Sequence, residues 1–184
     1  MDKKLRQTFL LHSCCAPCIT HPIQHLRDEF HVTAFFYNPN IHPREEYAAR
    51  RDEAERLAEK WSFPFLLGEY DVDEWFERVK GYEEESEGEF RCEICYRMRL
   101  EKTVQMAKSR EFAFFGTTLS ISPHKKATVI NRIGKELEKV YGIEYYEADF
   151  KKKDGFKISC RISDEEGLYR QSYCGCVFSR RNGK

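Results

Sequence analysis

At 184 residues the chain is long enough to bury a core without disulfides. Apolar residues make up 41% and charged residues 34%, with 31 basic side chains against 31 acidic ones. That zero balance excludes a protein whose whole surface coats nucleic acid, but it leaves room for a local basic patch.

The opening MDKKLRQTFLLHSCC has too short an apolar run for a signal peptide. No segment approaches the ~20 apolar residues of a membrane span, so one cytoplasmic domain over 1–184 with no membrane partner is expected. Residues 7–13 predict a first strand. Residues 17–30 predict a helix with Pro17 suited to its first position, and Pro22 set to kink it or delay its start. A β-branched and aromatic strand follows at 31–38, then a turn-rich loop at 38–43. The charged helix expected over 44–61 puts Tyr47, Ala54, Leu57, Ala58 and Trp61 mostly on one face. A third strand is expected at 63–70, a short helix at 71–79 with Asp71 as its cap, and an exposed acidic loop at 80–90. Then come a helix at 92–110, a strand at 111–118, a helix at 122–142 closed by Gly142, and a strand at 143–150. The tail, 151–184, reads as basic and irregular with a short helix near 164–171.

Strand and helix alternate at βαβ spacing, which predicts an α/β fold with a parallel sheet flanked by helices. Ligands of such folds sit at the carboxyl ends of the strands. CCAPC (14–18), NPNIHP (38–43) and TTLSISPHK (117–125) all fall there, and Asp149 lies near the end of the fifth strand.

Seven of the eight cysteines stand in three tight groups: Cys14, Cys15 and Cys18; Cys92 and Cys95; Cys174 and Cys176. Cys160 stands alone and suits a buried apolar position. Core packing does not require C-x-x-C or C-x-C spacing. Adjacent cysteines bond to each other poorly, and a cytosolic address disfavours disulfides. A thioredoxin-like CAPC at a helix start is chemically sensible, yet it leaves the other groups unexplained. Metal binding accounts for all seven. Two C-x-x-C pairs supply four thiolates, enough for zinc or an iron–sulfur cluster, and the excess of soft sulfur favours iron.

His12 reads as a hydrogen-bonded core or site-wall residue, and His21, His25 and His31 as structural or exposed. His42 and His124 sit in strand-end loops, where Asn38 and Asn40 either shape a turn or read a polar ligand. Lys125–Lys126, Lys151–Lys153 and Arg180–Arg181 flank the expected site and suit phosphate contacts. Neither G-x-G-x-x-G nor G-x-x-x-x-G-K-[ST] occurs, so nothing points to a nucleotide cofactor.

Taken together, LLHSCCAPC, FYNPNIHPREEY, RCEICYRMRLEKT, FGTTLSISPHK, YYEADFKKKDGF and LYRQSYCGC resemble the QueH family of cobalamin-independent epoxyqueuosine reductases, in order, from about residue 9 to residue 178. The resemblance implies a Rossmann-like, nucleotide α-hydrolase-like fold with an irregular C-terminal segment. It implies a [4Fe–4S] cluster with an additional iron ion beside it, and a tRNA substrate carrying epoxyqueuosine at the wobble position. The expected reaction removes the epoxide oxygen as water with two electrons and two protons, the iron acting as Lewis acid and an unidentified donor supplying the electrons. Cys92 and Cys95 are then expected cluster ligands, with Cys14, Cys15, Cys18, Cys174 and Cys176 completing both centres. Asp149 is the expected oxygen ligand or proton donor. Asn38, Asn40, His42, Thr117, Thr118, Ser122 and His124 are expected to line the substrate pocket. A zinc-stapled RNA-binding module without catalysis and a thiol oxidoreductase using CAPC are the rival readings. An ATP-dependent tRNA sulfurtransferase is a third, but it lacks its phosphate loop.

Overall fold

The computed structural model describes residues 6–180. Arg181, half of the last basic pair, lies outside them. Among the described residues, five parallel strands form one sheet in the order β3-β2-β1-β4-β5. These are β1 Gln7–Ser13, β2 Phe30–Phe36, β3 Phe65–Leu67, β4 Phe114–Thr117 and β5 Glu144–Tyr145. The helices are α1 Ala16–Leu26, α2 Arg44–Trp61, α3 Val72–Val79, α4 Phe90–Ser109, α5 Ala127–Tyr141 and α6 Gly155–Glu165. No helix among them is long and apolar enough to cross a membrane.

β1 is central, so both of its faces are covered. Phe9 and Leu11 enter one apolar cluster with α1 and α2, while Leu10 enters the other with α3, α4 and α5. A strand buried on both sides reads as a continuous apolar run, which is why TFLLHS is legible as β1. The α2 expectation also matches at both ends.

Other elements differ from expectation, each for a local reason. α1 begins at Ala16 and runs through Pro22, but it stops at Leu26, because Phe30 already belongs to β2 and packs on Phe9 and Phe114. β3 is an edge strand of three residues. β5 shrinks to two residues that pair only with Phe114 and Phe115, although β4 runs on to Thr117. SPHK does not open α5. It forms a turn in which the Lys125 amide donates to the Ser122 carbonyl, and the helix starts at Ala127. The C-terminal helix lies at Gly155–Glu165, earlier than the expected 164–171, and packs on α1. There Ser159 Oγ donates to the Pro17 carbonyl at 2.5 Å and meets Thr20 Oγ1 at 3.1 Å.

The connection leaving β1 runs to β2, and the one leaving β4 runs to β5 on the other side. The two chains diverge between β1 and β4, which makes the crevice above that pair the switch point where α/β folds bind ligands.

Candidate metal centre

CCAPC leaves β1 at this switch point. Cys15 is the extended N-cap residue of α1, so the next turn of helix carries Cys18 back toward the strand end. The sulfurs of Cys14, Cys15 and Cys18 lie within 4.8 Å of one another, with Cys14 and Cys15 3.9 Å apart. Cys92 and Cys95 sit on the first turns of α4, where the Gly88 amide donates to Cys92 Sγ at 3.2 Å. Cys174 and Cys176 arrive on the segment after α6 and pack, with Cys14, Cys92 and Cys95, on the α4 side of the sheet.

Between these groups lies a cavity of about 700 Å³, whose wall includes Cys14, Cys18, Cys174, Arg99, Lys125 and Tyr173. Cys15, Cys92, Cys95 and Cys176 are not among the residues that line it. Cys160 also lines the cavity. It is half-buried, and Arg170 Nη2 lies 3.1 Å from its sulfur, so it is not the core residue expected.

The tail that carries C-x-C is held by a residue remote in sequence. Arg50, 1% exposed on the inner face of α2, donates to the carbonyls of Tyr173 and Cys174 at 3.1 Å each, while Glu46 accepts from its Nε at 2.6 Å. Gly175, with φ +105°, turns the chain between the two cysteines. A Cβ there would stand 2.8 Å from Ile41 Cγ1 and 3.1 Å from Arg50 Nη1, so no other residue fits without movement. The Gly175 carbonyl accepts from the His42 amide at 2.8 Å, which ties the tail to the NPNIHP loop; the Tyr173 hydroxyl donates to the His42 carbonyl beside it.

The electrostatics differ from thiol to thiol. Hydrogen bonds from Cys15 and Cys18 hold the Cys14 thiol well below its ordinary range, and the charges of Arg99 and Lys125 add to this. Burial, and then the Cys14 sulfur, push Cys15 up to about 12. Hydrogen bonding to Cys14 and Cys15 raises Cys18. Burial raises Cys92 to about 11, Cys176 to about 12, and Cys95 above its ordinary value. Five of the seven thiols therefore hold their protons more tightly than usual, and a bound cation would displace them, whereas Cys14 ionises more easily than an ordinary thiol.

The expected substrate-lining residues separate into two sets. Ser122 and His124 line the sulfur cavity. The others lie beneath or beside it. Thr117 Oγ1 meets His12 Nδ1 at 2.9 Å, and Asn38 Nδ2 donates to the Ser13 carbonyl at 2.9 Å. His42 stacks against Trp75 and Phe76. Asn40 and Thr118 are buried with side-chain polar atoms that find no protein partner, so they remain available to water or a bound polar group. Asp149 is not among the residues that line the sulfur cavity. It borders a second cavity of about 720 Å³ with His21, His25 and Lys152, and it pairs with Lys151 at 2.9 Å. Lys151 Nζ also donates to the Lys125 carbonyl, so Asp149 reaches the sulfur cavity only through that lysine.

Arg50 and Arg99 were not singled out by the sequence reading, although a signal was present. Arg50 lies on the apolar stripe of α2 between Tyr47 and Ala54, and Arg99 continues the face marked by Cys92 and Cys95 on α4. A charge on a buried stripe needs a buried partner.

Thiols gathered at the switch point of a Rossmann-like sheet define the class, a metal-binding α/β protein of the cysteine-ligand type. Comparison with known proteins narrows it. The sequence model of "Epoxyqueuosine reductase QueH" matches residues 9–182, and the chain belongs to that family. It is 44% identical over 176 residues to epoxyqueuosine reductase QueH of Thermotoga maritima, covering 94% of this chain and 90% of the relative. It is 38% identical to the Streptococcus pyogenes protein of the same name, covering 97% and 72%. Two solved structures share the fold at low identity. The U34-tRNA thiolase NcsA from Methanococcus maripaludis, with its [4Fe–4S] cluster, aligns at TM-score 0.56 and 10% identity, over 96% of this chain and 64% of the other. A predicted tRNA methyltransferase subunit from Methanocaldococcus jannaschii aligns at 0.58 and 12%, over 89% and 93%.

Proposed function

We propose that this protein reduces epoxyqueuosine in tRNA to queuosine, using an iron–sulfur cluster held in the sulfur-lined cavity. The observation that carries the reading is the convergence of Cys14, Cys15 and Cys18 within 4.8 Å at the switch point, in a chain that belongs to the epoxyqueuosine reductase family. The donor set fits the group. It is all soft sulfur, Cys15, Cys95 and Cys176 are buried, and two cations lie close enough to offset thiolate charge. When bound, the cluster supplies single electrons, and an additional iron beside it supplies Lewis acidity.

The chain's own residues do the rest. Cys14, Cys15, Cys18, Cys92, Cys95, Cys174 and Cys176 exceed one cluster's needs, and this supports a second iron. The cavity, at about 700 Å³, suits a modified nucleoside inserted from the anticodon loop. Ser122, His124 and Tyr173 form its wall, while Asn38, Asn40, His42, Thr117 and Thr118 lie outside its lining and support the strand ends and loops around it. Lys125 presents its cation to the same space. Asp149 acts through Lys151, which steadies the Lys125 loop. Overall, two electrons and two protons convert the epoxide to an alkene and one water. The electrons come from an external donor.

The test is anaerobic purification with iron, zinc and sulfide counts on one sample, followed by an assay on epoxyqueuosine-containing tRNA. Iron in excess of sulfide with turnover is the expected result. A zinc-only protein that takes up no iron or sulfide would instead make it a stapled RNA binder, and a metal-free protein that stays active would make it a thiol oxidoreductase.

A further inference from the structure

Arg99 has no carboxylate partner. It is 2% exposed, deep on the sheet face of α4, and its side chain forms no ion pair with an acidic residue among those described. Of the other buried arginines, Arg50 pairs with Glu46, while Arg91, also without an ion pair among the described residues, spends its Nη1 on three carbonyls of the 82–85 loop. Arg99 Nη2 donates to Asn38 Oδ1 at 2.7 Å, and its Nε lies 3.3 Å from His12 Nε2. Neither partner is a carboxylate, so neither offers the guanidinium a counter-charge.

The dipoles around Arg99 are themselves anchored. His12 meets Thr117 Oγ1 at 2.9 Å and the Tyr37 carbonyl at 3.1 Å, and Asn38 Nδ2 is held by the Ser13 carbonyl. Residues from β1, β4 and the end of β2 therefore fix the guanidinium in place without neutralising it. Burying an ion costs several kcal/mol unless an opposite charge meets it. Arg99 lines the same cavity as Cys14, Cys174 and Lys125, with Glu84 and Glu87 also on its wall, and the charges that act on it most are those of the Cys95, Cys14 and Cys174 sulfurs.

We propose that Arg99 is the charge-compensating residue of the metal–thiolate centre: its fixed positive charge stabilises the thiolates and the reduced cluster and so raises the reduction potential, with His12 and Asn38 as its positioning residues. This rests on the reading that the cysteines hold an iron–sulfur cluster. Reduction adds one negative charge, and a cation within a few ångströms in a low-dielectric site favours that state.

The experiment compares native protein, Arg99→Gln, Arg99→Lys and Asn38→Asp, each reconstituted anaerobically and titrated against redox mediators with EPR detection. Arg99→Gln should shift the reduction equilibrium at least about tenfold toward the oxidised form, about 59 mV for a one-electron couple. Asn38→Asp keeps the arginine but cancels its charge across the 2.7 Å contact, and it should move the potential the same way. Arg99→Lys keeps the charge and should recover most of the native value. If Arg99→Gln loads no cluster, loading restored by Arg99→Lys supports the proposal, and failure of lysine to restore it would mean that shape, not charge, is required. Native potentials in Arg99→Gln and Asn38→Asp at native iron content would overturn it. A native protein with no redox-active cluster would sink the reading of the site itself, before any variant is compared.

Discussion

Cys14, Cys15 and Cys18 are brought together by one strand end and one helical turn, whereas Cys174 and Cys176 are carried in by a tail that α2 holds down. The first wall of the site needs only β1, an extended Cys15 and the start of α1. The second needs Arg50 on two carbonyls, Gly175 in a left-handed turn and the NPNIHP loop beneath it. The contrast teaches that a ligand set can be half local and half remote, with different vulnerabilities. The local half fails only if a ligand is lost. The remote half fails if the residues that place it are lost.

The largest effect should come from the local wall. Cys14→Ala should lower activity by more than about 100-fold, beyond the range for residues that merely support a metal ligand, and the iron count should fall with it. Cys160→Ala, beside the same cavity, should retain iron, as measured on the same preparation.

Removing the latch of the second wall comes next. Arg50→Ala strips a buried ion pair and both tail contacts, and it should lower unfolding free energy by about 3 kcal/mol in urea titration. Thiol labelling of the metal-free variant should show Cys174 and Cys176 reacting faster while Cys14, Cys15 and Cys18 keep their native rates. Equal acceleration of both groups would break the distinction between the walls.

A subtler probe is Gly175→Ala. The positive φ and the approach to Ile41 and Arg50 should cost about 2 kcal/mol, with the same selective exposure of Cys174 and Cys176. The smallest effect is expected at Asp149. If it acts through Lys151, Asp149→Asn should reduce turnover only a few-fold. A loss of about 100-fold or more, the scale of a direct acid or base, would place it at the reacting oxygen instead.

Much of this architecture is legible in the chain. β1 declares itself as a double-buried apolar run, α2 by its one apolar stripe, and the cysteines by spacing that core packing does not require. The misplaced boundaries share a cause. β5 pairs only with Phe114 and Phe115 of β4, and α1 ends where Phe30 is taken by the sheet beside Phe9 and Phe114; neither set of partners is near in sequence. The division of the expected site residues has the same origin. Thr117 ends β4 and Ser122 follows it closely, yet Thr117 is held by His12 outside the cavity lining, while Ser122 is part of that lining.

The amino-acid sequence by itself determined the alternating α/β order, the metal-binding character of the cysteines and the family, because each rests on residue type and short-range spacing. Only the tertiary structure decided which charges are buried with the sulfurs, that Arg50 latches the tail, and that Asp149 borders a cavity other than the sulfur-lined one. Burial is a property of all the elements that surround a side chain, and an arginine on a helix carries no local mark of whether its guanidinium meets water, a carboxylate or a thiolate.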